Sequence, residues 1–147
     1  AMRYLFTCLL SLFLFCFNAT AQNNVTFQVD MNSVDPTTFS TPEVNGTFNG
    51  WCGNCNPMSD ADGDNVWDVT LPLTTGSSIE YKFTVDGWTD QEQFAGGEPC
   101  TVTNGGFTNR FLAIPATDST ISTVCFNSCS ACPTTPPPST PCKIRSG

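Results

Sequence analysis
The sequence predicts an all-β fold, a small antiparallel β-sandwich tied by disulfides. Segments in which apolar and polar residues alternate recur along the chain, clusters of Gly, Asn, Asp and Pro separate them, and no segment keeps the 3.6-residue periodicity of an amphipathic helix. At 147 residues there is room for one ordinary domain with short extras. Val25, Phe27, Val29 and Met31 alternate with Thr26, Gln28, Asp30 and Asn32, which predicts a first strand with one buried face. A shorter second strand is expected over Val44 to Phe48. In a third, Trp67, Val69, Leu71 and Leu73 alternate with Asp68, Thr70 and Pro72, so Trp67 points inward. In a fourth, Ile79, Tyr81, Phe83 and Val85 share the core face, while Glu80, Lys82, Thr84 and Asp86 share the other. Gly105-Gly106 introduces the last strand, Phe107 to Ile114. The sandwich is thus expected within residues 22–114. The polar, cysteine-dense segment 115–132 reads as an appendage fixed by disulfides.

The two ends have different characters. Arg3 precedes an uncharged apolar run of 14 residues, Tyr4 to Phe17, and then the small-x-small sequence Ala19-Thr20-Ala21. That run is shorter than the roughly 20 residues of a spanning helix, so residues 1–21 read as a secretory signal peptide, and a secreted, extracellular protein is expected. Seven cysteines follow it, in an oxidising compartment where disulfides are the default. Cys142 lies beyond the Pro- and Thr-rich stretch that opens residues 133–147, a linker or tail. The other six, Cys52, Cys55, Cys100, Cys125, Cys129 and Cys132, are expected to close three bridges, with Cys52 and Cys55 joined to each other or holding their loop to a neighbour.

Charge and composition exclude whole classes of function. Five Lys and Arg against 13 Asp and Glu give a net charge of -8, which repels phosphate backbones and anionic membranes. Neither nucleic acid nor a membrane is an expected partner. With no histidine, the commonest general base and metal-binding nitrogen are missing. Two tryptophans fall outside the core pattern: Trp51 after Phe48-Asn49-Gly50, and Trp88 after Asp86-Gly87, both where strands end in turn sequences. A rigid exposed indole suits a pyranose, whose axial C–H face is apolar while its hydroxyls reach neighbouring polar groups. Lys82, on the non-core face of the fourth strand, is one of two cations between the ends; the other is Arg110.

Taken together, Val44-Asn45-Gly46-Thr47-Phe48-Asn49-Gly50-Trp51, Trp67-Asp68-Val69-Thr70-Leu71-Pro72-Leu73 and Ile79-Glu80-Tyr81-Lys82-Phe83-Thr84-Val85-Asp86-Gly87-Trp88 resemble the starch- and glycogen-binding carbohydrate-binding modules of the immunoglobulin-like early-set type. The resemblance spans roughly Val25 to Ile114. It implies an immunoglobulin-like sandwich and a glucan site at Trp51, Lys82 and Trp88, with a later asparagine aligning with Asn109. The cysteines have no counterpart in intracellular members. In this form the chain is similar to modules of secreted marine bacterial glucanases, including family 16 β-glucanases, so the implied glucan is α-1,4- or β-1,3-linked.

Asp60, Asp62, Asp64 and Asp68 suggest a turn able to wrap calcium, or an acidic solvated hairpin without metal. An EF-hand is excluded, because the sixth position is Asn65 and the twelfth Leu71. Asn24 and Asn45 head N-glycosylation sequons. A glycoside hydrolase needs two carboxylates across a cleft, and the acids here cluster in turns, with no Glu-x-Asp-x-x-Glu strand of the family 16 type. The expectation is therefore a non-catalytic, glucan-binding module that requires no cofactor. The alternative is a structural or adhesive extracellular β-domain, stabilised by calcium or not. The linker composition ahead of Gly147 adds the expectation of a tether to a catalytic domain.

Overall fold
Alternation from Val25 to Met31 produces the strand on which the fold is built. In the computed structural model, which describes residues 20–133, β1 (Gln22–Asp30) pairs along its whole length with β3 (Val66–Thr74), from Gln22 opposite Thr74 to Asp30 opposite Val66. A second sheet is laid on it. There β2 (Pro42–Gly46) and β7 (Phe107–Ala113) flank β4 (Ser78–Val85), β6 (Thr101–Asn104) lies outside β7, and the short β5 (Asp90–Gln91) meets the last residues of β4. The two sheets form a small all-β sandwich. Val25, Phe27 and Val29 from one sheet, with Met31 just past the end of β1, meet Val44, Ile79, Tyr81, Phe83 and Val85 from the other, all buried. No helix among the described residues is long and apolar enough to cross a membrane. The expected signal peptide, the tail beyond residue 133 and Cys142 lie outside the described residues.

Four expectations are corrected by packing. The second strand covers Pro42–Gly46 and ends in a 3-10 turn over Thr47–Asn49, so Thr47 and Phe48 are not strand. Gly46 lies so close to β4 that a Cβ there would stand 2.5 Å from the Glu80 carbonyl oxygen. Trp67, Val69 and Leu71 face the core but are only half-buried, because β3 is the edge of its sheet. That edge position also tolerates Pro72 in mid-strand. Lys82 and Thr84, expected on an open face, are buried by the Cys52–Cys55 loop and β5.

The fourth correction concerns residues 115–132. They supply β8 (Ser119–Thr120) and β9 (Val124–Cys125), both parallel to β1 on the edge opposite β3, and Phe126 enters the core. Two-residue strands carry no readable alternation, which is why the segment looked like an appendage. All six cysteines are bridged: Cys52–Cys55, Cys100–Cys129 and Cys125–Cys132.

Candidate functional site
The candidate site lies on the outer face of the second sheet. Directly paired residues of antiparallel strands point to the same side. Asn45 opposite Lys82, Glu80 opposite Phe111, and Asn104 opposite Phe107 therefore assemble one surface from β2, β4, β7 and β6. A groove of about 480 Å³ crosses it, lined by Thr47, Trp51, Glu80, Lys82, Trp88, Gln91, Asn104, Phe107 and Asn109. Trp51, Lys82, Trp88 and Asn109, far apart in the chain, thus share one cavity.

Trp51 is placed by Asn49. The Asn49 Oδ1 accepts the N–H groups of Gly46 (3.0 Å) and Trp51 (3.1 Å), while its Nδ2 donates to the Val44 carbonyl (3.1 Å) and Asn56 Oδ1 (2.7 Å). The loop closes so tightly that Trp51 takes φ +59°, a left-handed conformation a bulky side chain adopts only under constraint. Its ring centroid lies 6.4 Å from that of Trp88, with the planes tilted by 39°. The pair forms a bent platform.

Trp88 extends from a turn in which Asp86 and Gly87 both have positive φ. Asp86 accepts the N–H groups of Ser40 and Thr41, and Glu43 accepts that of Gly87. The Cys52–Cys55 loop leans on the indole, since a Cβ at Gly53 would lie 3.2 Å from Trp88 Cδ1. Buried Asn45 anchors that loop, donating to the Gly53 carbonyl (2.6 Å) and accepting the Gly53 N–H (2.8 Å). With its amide committed inside the fold, Asn45 has no free nitrogen for a glycan, which removes that sequon.

The polar groups of the groove are ordered. Lys82 Nζ donates to Gln91 Oε1 at 3.3 Å, in place of the neighbours Glu80 or Asp86. Burial holds its pKa below the ordinary 10.5, and the nearby Glu92 carboxylate pulls the other way. Asn109 Nδ2 donates to Glu80 Oε2 (2.9 Å) and Asn104 Nδ2 to Glu80 Oε1 (3.3 Å). Glu80, Gln91, Asn104, Phe107 and Thr47 were missed by the sequence reading. Strand parity alone would have added Glu80, which shares the Lys82 face.

Residues 40–99 match the family model of carbohydrate-binding module 48 (isoamylase N-terminal domain). The resemblance to starch-binding-type modules therefore holds over that segment, which includes Trp51, Lys82 and Trp88 but not Asn109. No curated protein sequence matches the chain. Among solved structures, the chain is similar to a glycoside hydrolase family 15 glucoamylase from Hypocrea jecorina, with 20% identity and a TM-score of 0.50 over 75% of this chain and 18% of that one. A glucoamylase from Hormoconis resinae aligns with a TM-score of 0.43 and 20% identity, over 74% of this chain and 18% of that one. The chain spans less than a fifth of the length of these enzymes, and the first likeness concerns the fold.

The acidic turn behaves differently from the groove. Carboxylate oxygens of Asp60, Asp62 and Asp64 lie within 4.8 Å of one another, whereas Asp68 stands outside the group and pairs through its backbone with Ser59. Asp60 accepts the N–H groups of Gly63, Asp64 and Asn65, and Asp64 that of Val66. Backbone donors thus shape this turn.

Proposed function
We propose that this protein is a non-catalytic carbohydrate-binding module that holds a glucan chain outside the cell. Trp51 and Trp88 stack on its sugar rings, Lys82 donates to hydroxyls, and Asn109 supplies a further polar contact. The observation that carries the reading is that these four residues line one groove, with both indoles on the same side. The match of residues 40–99 to carbohydrate-binding module 48 supports the ligand class. Glu80 is the one carboxylate lining the groove among the described residues, whereas glycoside hydrolysis uses two. Three disulfides support the extracellular assignment. The strand pairing of residues 119–125 supports a binding domain reaching from residue 22 to residue 132.

Stacking one indole face removes roughly 60–80 Å² of apolar surface from water, about 2 kcal/mol for each tryptophan. Lost translational and rotational freedom offsets much of this. Dissociation constants of about 10 μM to 1 mM are expected for soluble oligosaccharides, a range useful to a module tethered to a catalytic domain. Calorimetry with maltoheptaose and with laminarin oligosaccharides tests the proposal and decides the linkage. Trp51→Ala and Trp88→Ala should each weaken binding about tenfold without lowering the melting temperature. Absence of binding to either sugar, or binding indifferent to both substitutions, would favour a structural or adhesive β-domain.

A further inference from the structure
Phe107 and Phe111 are 71% and 50% exposed; with Trp88 they are the large hydrophobic side chains most open to water among the described residues. Both lie on β7 and point to the groove side, as their cross-strand partners Asn104 and Glu80 do. Phe107 lines the groove with the two tryptophans. Phe111 lies beyond it, directly across from Glu80, which forms part of the groove lining. Asn109 stands between them on the same face, and the amides of Asn104 and Asn109 hold the Glu80 carboxylate.

We infer that the binding surface continues along β7, with Phe107 and Phe111 as further stacking platforms for the same chain, so that the module reads a long, neutral glucan and not merely a short end. This rests on the glucan reading above. Aromatic faces separated by fixed amides and a carboxylate match a polymer that offers apolar ring faces and hydroxyls in turn, whereas a protein-docking patch is apolar at its centre. A strand rise of about 3.4 Å per residue places Phe107 and Phe111 roughly 14 Å apart, a span of several sugar rings. Neutrality follows from charge. Residues 22–132 hold all 13 Asp and Glu of the chain but only two cations, and Arg110 is buried against Glu92, which leaves Lys82 alone among the remaining carboxylates. A sulfated or uronic acid polymer would be repelled.

The test is calorimetry of the full chain and of Phe111→Ala across ladders of malto- and laminari-oligosaccharides of increasing length. Unsubstituted protein should bind tighter as the chain lengthens. Phe111→Ala should flatten that rise, losing about five- to tenfold for the longest sugars and nothing for the shortest; Phe107→Ala should weaken binding at every length. If Phe111→Ala binds like the parent at all lengths while Trp88→Ala binds about tenfold more weakly, this inference falls and the glucan site stands. Absence of binding by the unsubstituted protein defeats both. Loss of self-association in Phe111→Ala with unchanged sugar binding would assign the face to protein docking and overturn the inference. So would equal affinity for a carboxylated polymer of the same length.

Discussion
Lys82 shows how burial tunes one side chain. Its ammonium is held below the ordinary pKa of 10.5 because water is largely removed from it, and it donates to Gln91. If its protons serve glucan hydroxyls, retention on insoluble glucan should fall as the pH rises toward 10, earlier than an ordinary lysine would allow. Unfolding does not explain such a loss. A base whose folded pKa is depressed leaves the unfolded chain with more bound protons in that window, so its contribution to stability grows with pH. Tyr81, pushed up to about 12 chiefly by burial, works in the opposite sense, but the stability it lends is lost only above its ordinary value of 10.0. Lys82→Met should bind weakly with a flat profile across this range. An unchanged alkaline limb in that variant would show that Lys82 is not the donor.

At the scale of elements, the loop between β2 and β3 matters most. Cys52–Cys55 closes a small ring directly after Trp51, and Gly53 inside it touches both Asn45 and Trp88. Cys100–Cys129 spans 29 positions and ties β6 to the C-terminal segment. Loop-closure entropy makes the long bridge worth about 3–4 kcal/mol and the short one about 2 kcal/mol. We therefore expect Cys100→Ser/Cys129→Ser to show mainly in urea denaturation, and Cys52→Ser/Cys55→Ser mainly in calorimetry with glucan, through misplaced indoles. Undiminished binding in the latter variant would mean that Asn49 and Asn45 hold the loop without the bridge.

Across the whole molecule, one buried ion pair joins elements that are distant in sequence. Arg110 on β7 donates from Nε and Nη2 to Glu92, beside β5, and from Nη2 to the Ser128 carbonyl. Glu92 in turn accepts the N–H groups of Phe83 and Asn127. The guanidinium lies between the rings of Phe83 and Phe94, 5.3 and 5.1 Å from their centroids. Arg110→Met would leave a fully buried carboxylate without its cation, which costs about 3–5 kcal/mol. Urea denaturation should record that loss, and a change below about 1 kcal/mol would refute the role given to the pair.

Period-2 alternation by itself determined β1, β3 and β4, since a half-buried strand leaves its pattern in one short window. Turn chemistry likewise placed Trp51 and Trp88 outside the core, and composition set the acidic charge and the cysteine supply. Local sequence carries no record of what covers a strand from outside. Alternation puts Lys82 and Thr84 on the non-core face and says nothing of their cover, which arrives from the Cys52–Cys55 loop and β5. β8 and β9 were invisible because two residues make no pattern, and only the open edge of β1 gives them partners. Nothing near Arg110 in the chain announces its partners, because only the tertiary structure brings Glu92, Phe83 and Phe94 around it. The groove has the same origin: pairing across antiparallel strands brings Lys82, Phe107 and Asn109 to one face, and the turns that follow β2 and β4 add Trp51 and Trp88 to it.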